Sequence, residues 1–232
     1  MAEITDVKGR RVWDSRGRAT VEAEVTVAGG ARGRGIAPAG ASTGAGEAQC
    51  IDTALAVANV NIAIRKRLLG MDAANQAAID GQLIALDGTP ERHRLGGNAM
   101  VAVSLACAHA AAAAAGQPLW KYLAGERHVG LPVPQVQIFG GGAHAKGSVD
   151  VQDYMVICTG AGSFDEAMQW TSEIYAAAGA RLAKRGMRQG VADEGGFWPN
   201  FKSNEEGLIE LVASIADAGL RPGSDVGIAL DI

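Results

Sequence analysis

The chain has 232 residues, 48% of them hydrophobic and 20% charged, with a formal net charge of −4. That length can bury a sizeable core in one or two domains, and the balance is that of a folded chain rather than a disordered one. The mild acidity gives no electrostatic basis for nucleic-acid binding. Cys50, Cys107 and Cys158 lie far apart. They build neither a zinc ribbon nor a disulfide framework, and fit a reducing compartment. Glu3, Asp6 and Lys8 break up the N-terminus, so no secretory signal is read there. The alanine-rich run at Ala110 to Ala115 is too short to span a bilayer. The expected location is cytoplasmic, with no membrane span and no nucleic-acid partner.

In chain order, Val21 to Val27 alternates apolar and polar residues, which predicts a half-buried strand. Gly29-Gly30 then turns the chain toward a second extended stretch near Gly35-Ile36-Ala37, giving a hairpin or meander. Arg32 and Arg34 fall on a loop or strand edge. The small residues from Ala39 to Gly46 predict a loop, and its glycines do not form a phosphate-binding Gly-x-x-x-x-Gly-Lys motif. Helical spacing follows, with Ile51, Leu55, Ala58 and Ile62 on one face. In the next helix Val101, Leu105, Ala108 and Ala112 share a face, Asn98 is the N-cap, and Gly116 with Pro118 is the stop.

Composition changes around Gly125 to Gly130, dividing the chain into residues 1–129 and 130–232. Val149 to Ile157 predicts a buried strand. Ser163 with Glu166 is a capping box opening a helix that carries Ala167, Trp170, Ile174 and Leu182. Ser203 with Glu206 is a second, opening a helix with Leu208, Leu211, Val212 and Ile215 that Gly219 and Pro222 stop. Val226 to Leu230 is a short apolar strand ending at Asp231. Strand, helix, helix, strand predicts a mainly parallel sheet covered by helices.

Several residues stand out against this frame. Asp193-Glu194-Gly195-Gly196 puts two carboxylates on a turn between helical units, where the backbone can crowd a ligand, although adjacent acids are also ordinary solvated residues. Asp153 interrupts an apolar strand, which calls for either a functional role or a buried salt bridge. Asp231 ends a strand where α/β folds place catalytic groups, although by itself an aspartate there reads first as a loop-start or capping residue. His144 follows three glycines, as a ligand-facing or a plain surface histidine. Ser42 could ligate a metal or belong to a flexible linker.

Together these segments resemble enolase, the phosphopyruvate hydratase family. The resemblance runs through Val12-Trp13-Asp14-Ser15-Arg16-Gly17-Arg18-Ala19-Thr20-Val21, Gly40-Ala41-Ser42-Thr43-Gly44, Asn98-Ala99-Met100 and Leu131-Pro132-Val133-Pro134. It continues in Ala192-Asp193-Glu194-Gly195-Gly196-Phe197, Lys202-Ser203-Asn204-Glu205-Glu206 and Ala229-Leu230-Asp231. It implies an α+β N-terminal domain, an antiparallel meander followed by helices, and then the first units of an α/β TIM-like barrel, incomplete. The implied activity is a lyase reaction, dehydration of 2-phosphoglycerate to phosphoenolpyruvate, with Mg2+ as cofactor and a homodimer or higher homo-oligomer as the assembly. Glu194 would be the general acid, partnered by Asp153. Gln152, His144, Asp153 and Ser42 would meet the phosphorylated carboxylic acid, and Asp231 and Ser42 would hold metal.

This sequence departs from the family pattern at Asp153, where glutamate is expected, at Gly140, where asparagine is usual, and at Ala143 and Ala39. Two alternatives therefore stand beside the first reading: a paralogue acting on another phospho-carboxylic acid, and a non-catalytic binding protein derived from the family. Further metal carboxylates, a lysine base and later phosphate-binding residues would lie beyond residue 232. From residue 130 only 103 residues remain for a barrel that takes about 250. Expressed alone, the chain is expected to aggregate or stay molten and to show little turnover. A monodisperse, cooperatively melting monomer in sedimentation and thermal scans would contradict that expectation.

Overall fold

The computed structural model describes residues 2–40, 44–142, 149–192 and 194–232, in two compact units, Met1–His128 and Val129–Ile232. The first unit opens with an antiparallel meander, β1 (Ile4–Trp13), β2 (Ala19–Val27) and β3 (Arg32–Ile36), in that order across the sheet. Alternation in β2 puts Val21, Ala23, Val25 and Val27 in the core and Glu22 and Glu24 on the opposite face. There they meet Arg10 at 3.3 and 3.0 Å, with Arg34 and Arg32 farther off at 3.9 and 3.8 Å.

Helices complete the unit: α1 (Thr53–Asn59), a π-helical turn (Val60–Ile64), α2 (Arg65–Leu68), α3 (Gln76–Asp87), α4 (Gly97–Ala114) and α5 (Leu119–Ala124). The buried stripe of the first is Ala56, Val60, Ile64 and Leu68. Leu55 and Ile62, expected inside, are 53% and 70% exposed. Four residues per step drift about 40° in a regular α-helix, and the wider π turn draws the stripe back into line. Asn61 accompanies this turn: its Nδ2 donates to the Val57 carbonyl and to the Gly9 carbonyl on β1, and Gly9 N–H donates back to Oδ1.

On α4 the expected face is also corrected. Val101 and Leu105 are exposed, while Ala102, Val103, Ala106, Cys107 and Ala110 are buried. The reason is close packing on β3: a Cβ at Gly33 would lie 2.1 Å from Ala110 N, and one at Gly35 2.4 Å from Ala102 O. Only an alanine face can come that near. By length and composition α4 could cross a membrane, and 61% of it is buried inside the unit. Asn98 is not the N-cap, which is Gly96. It sits in the first turn, where its amide exchanges hydrogen bonds with the Ile51 backbone at 3.1 and 3.4 Å.

The second unit carries a five-stranded sheet ordered β6 (Arg188–Val191), β7 (Phe197–Pro199), β4 (Gln135–Gly140), β5 (Asp153–Ile157), β8 (Gly227–Asp231). It is open among the described residues, not a closed barrel. The sheet is mixed rather than mainly parallel, since β5 runs antiparallel to both β4 and β8. Chain parity explains this. Two helices, α6 (Phe164–Lys184) and α7 (Asn204–Asp217), lie between β5 and β8. An even number of crossings returns the chain at the opposite end from a βαβ unit. The C-terminal ends of β4 and β8 therefore meet the start of β5 at one edge.

Both expected capping boxes form, with Ser163 and Ser203 accepting from the N–H groups of Glu166 and Glu206. The glutamates reach back one residue further than the motif requires, to Gly162 N–H and Lys202 N–H. Tyr154 and Val156 of β5 pack with Ile174, Leu182, Leu211 and Ile215 in the core. Phe201 stands edge-on to Phe139, centroids 5.3 Å apart.

Asp87, at the end of α3, is 1% exposed. Burial works against its charged form, but the Thr89 hydroxyl and the N–H groups of Leu95 and Thr89 outweigh it, and its pKa lies below the ordinary aspartate value. A lowered folded-state pKa adds stability above the unfolded value, and that stability is lost as pH falls through the folded value. Asp87→Asn should thus cost about 1–3 kcal/mol near neutrality, and the gap from the parent protein should shrink in thermal melts taken below pH 4.

Candidate active site

Cross-strand pairing puts Gln137, Met155, Asp153, Ala229 and Asp231 on the sheet face opposite Tyr154 and Val156. Asp153 and Asp231 stand directly across from each other in the β5–β8 register, and Gln152 N–H donates to the Asp231 carbonyl at 2.8 Å. Gly141 N–H in turn donates to the Gln152 carbonyl at 2.7 Å. Asp153 is 7% exposed, whereas Asp231 and Glu194 are open to solvent.

The centre of the cluster is Gln137. Its Nε2 donates to Asp153 Oδ1 in a close hydrogen bond and to Glu194 Oε2 at 3.2 Å. Its Oε1 accepts from Gly196 N–H at 2.9 Å. The orientation of the amide follows from its neighbours, because two carboxylates require a donor and the peptide N–H requires an acceptor. Bonds from a neutral donor to a carboxylate contribute about 1.5–3 kcal/mol each.

The turn that presents Glu194 is fixed on several sides. Ala192 N–H donates to Gly196 O at 2.8 Å, Gly195 N–H to Ala192 O at 2.9 Å, and Tyr175 Oη to Gly195 O at 2.9 Å. Tyr175 stacks on Phe197 with centroids 4.3 Å apart. Gly195 has φ +95°, a conformation that L side chains rarely adopt. Gly196 answers a different need: a Cβ there would lie 2.5 Å from Gln137 Oε1. Behind β5, Asn204 Oδ1 accepts from Asp150 N–H at 3.0 Å and Val151 N–H at 3.3 Å, securing the approach to Asp153.

Of the residues expected from sequence, Asp153 and Glu194 are thus brought to one donor, with Asp231 beside Asp153. Ser42, His144 and Asp193 lie outside the described residues. In the first unit, Arg18 Nη2 donates to the Ala39 carbonyl at 2.7 Å and Gly44 N–H to Glu47 Oε2 at 3.0 Å. Gln137 was missed, although the signal existed: a glutamine within an apolar strand is costly to bury without partners, the same reasoning that flagged Asp153.

A cleft of about 640 Å3 is lined by Arg181, Lys184, Arg185 and Asp217. Its arginines are already engaged by Glu206, Glu210 and Asp217 at 2.6–2.7 Å, an ion network joining α6 to α7. The acid cluster lies apart from this cleft, on the β4–β5–β8 sheet face. Oxygen donors of its kind suit a hard cation. Among the described residues, however, no three His, Cys, Asp or Glu side chains form a metal-holding group, so these residues do not by themselves complete a magnesium site.

Two family models match the chain: Enolase, N-terminal domain, over residues 4–123, and Enolase, C-terminal TIM barrel domain, over residues 128–232. The geometry also yields a test that needs no substrate. Gly196→Ala should push the Gln137 amide off both carboxylates, lower stability by about 1–3 kcal/mol and speed hydrogen exchange at residue 196, read by thermal melting and exchange NMR.

Proposed function

The chain belongs to the enolase family of lyases, and from that premise we propose that it dehydrates 2-phosphoglycerate to phosphoenolpyruvate. The observation that supports this reading is one buried amide holding Asp153 and Glu194 together on the sheet face that also bears Asp231. Dehydration passes the proton of a C–H bond beside the carboxylate to a base, the lysine that the family resemblance implies, leaving the electron pair to form the C=C bond, and breaks the C–O bond of the adjacent hydroxyl. The exposed Glu194 serves the second event: it gives its proton to the departing hydroxyl, which leaves as water. Asp153 is its buried partner, and Gln137 with Gly196 keeps the pair in place without reorganisation during reaction. Gln152 and His144 are the further substrate contacts in this reading. Magnesium is the cation it calls for, with Asp231 and Ser42 as ligands from this chain, and its part would be to offset negative charge on the substrate.

A second reading, a family member acting on a related phosphorylated or phosphonylated acid, is favoured by the short side chain at Asp153. Assays of a full-length version with 2-phosphoglycerate and magnesium, followed by a panel of phospho- and phosphono-carboxylic acids, separate the two. In whichever reaction is found, Glu194→Gln is expected to lower kcat about 10²–10⁴-fold. Parental turnover by that variant would remove Glu194 from the acid role. Titration calorimetry that detects no binding of magnesium or 2-phosphoglycerate would favour a non-catalytic protein.

A further inference from the structure

Gln137 is 8% exposed, and both polar atoms of its amide are engaged, Nε2 by two carboxylates and Oε1 by a peptide N–H. Its reach is the notable feature. In the β4–β5 register Gln137 lies across from Met155, two residues along β5 from Asp153. The amide must therefore extend diagonally over the sheet face, a span open to long side chains. The β-bulge between Gln137 and Phe139 leaves Ile138 and Phe139 both fully buried, so the strand beyond Gln137 is pinned by the core. Asp153, by contrast, has one methylene and stays near its own strand. On the far side, Gly196 leaves no room for movement, because its missing Cβ is what admits Gln137 Oε1.

We propose that Gln137 is a positioning residue whose length is matched to the short Asp153, so that one amide sets the spacing between Asp153 and Glu194. This rests on the reading of Glu194 as the acid. Shortening Gln137 to asparagine withdraws the amide by a methylene, more than the roughly 0.5 Å that a preorganised site tolerates. Lengthening Asp153 to glutamate drives a carboxylate into the amide. Made together, the two changes transfer the methylene from one strand to its neighbour and restore the contact.

In the full chain, Gln137→Asn and Asp153→Glu are each expected to lower kcat about tenfold or more with little change in KM. The double variant should recover to within about threefold of the parent. A double variant no better than the poorer single, or parental turnover in Gln137→Asn, overturns the matching. The contact also has a readout independent of catalysis and of any risk to folding. Glu194→Gln, at an exposed position, should shift the side-chain amide resonances of Gln137 in 15N spectra, and Asp165→Asn, at an exposed position in the first turn of α6, should leave them in place. Unmoved Gln137 resonances overturn the proposal. If the parent protein dehydrates none of the phospho-acids, the acid reading fails and melting decides the matching alone. The double variant should then melt about 2–4 °C above the sum of the single effects, and strict additivity overturns it.

Discussion

On the polar face of the second unit, the Gln137 carboxamide joins two acidic side chains to the turn that carries one of them. Asp153 comes from β5, Glu194 from the turn before β7, and Gly196 from the same turn two residues on. The strand and the turn are far apart in sequence, yet each of the three residues places one polar atom on Gln137. Two acidic side chains that meet at one place, one of them buried, need a donor between them, and a neutral amide supplies one without adding a charge that must itself be compensated. Arginine in that position would bind the acids more strongly, but it would also fill the space with an obligatory cation and offer no acceptor to the Gly196 N–H.

What lies beneath holds that placement in register. Tyr154, Val156, Phe139 and Phe201 lock the sheet to α6 and α7 from the apolar side. The two helices are joined to each other by Arg181 and Arg185 with Glu206, Glu210 and Asp217, and Glu210 is only 2% exposed. Removing either arginine would leave part of that buried charge without compensation. Tyr175 on α6 and Asn204 at the head of α7 then carry rigidity across to the Gly195 carbonyl and to the residues preceding Asp153. The acid-bearing face is thus held by the two helices packed against the sheet.

Much of this was legible in the sequence because the relevant signals are local. The two Ser-x-x-Glu boxes, the alternation from Val21 to Val27 and the stop at Gly116 and Pro118 each depend on a few neighbouring residues, and each appears where expected. The helix faces misled for a physical reason. In stretches as rich in alanine as α1 and α4, apolar residues occur all round the helix, and pattern alone does not fix which side turns inward. Gly33 and Gly35 decide it for α4 by admitting only a small-residue face, and the π turn at Val60–Ile64 decides it for α1. Strand direction was hidden too, since it depends on the parity of the helices between strands rather than on any strand's composition. Gln137 escaped notice because glutamine is an ordinary surface residue, and its partners lie 16 to 59 positions away.

The Glu194-Gly195-Gly196 turn shows how a motif can join two unrelated requirements in adjacent letters. Gly195 has open space around the position of a missing Cβ, yet its φ of +95° excludes other residues on backbone grounds. Gly196 needs room, because Gln137 Oε1 occupies the place a side chain would take. A side chain at 195 would therefore strain the turn and re-aim Glu194 while leaving the Gln137–Asp153 bond in reach. A side chain at 196 would leave the turn geometry accessible and displace the amide that joins the acids. The first glycine aims the carboxylate and the second makes space for its partner, so the order of the two is as much a part of the site as the acid before them.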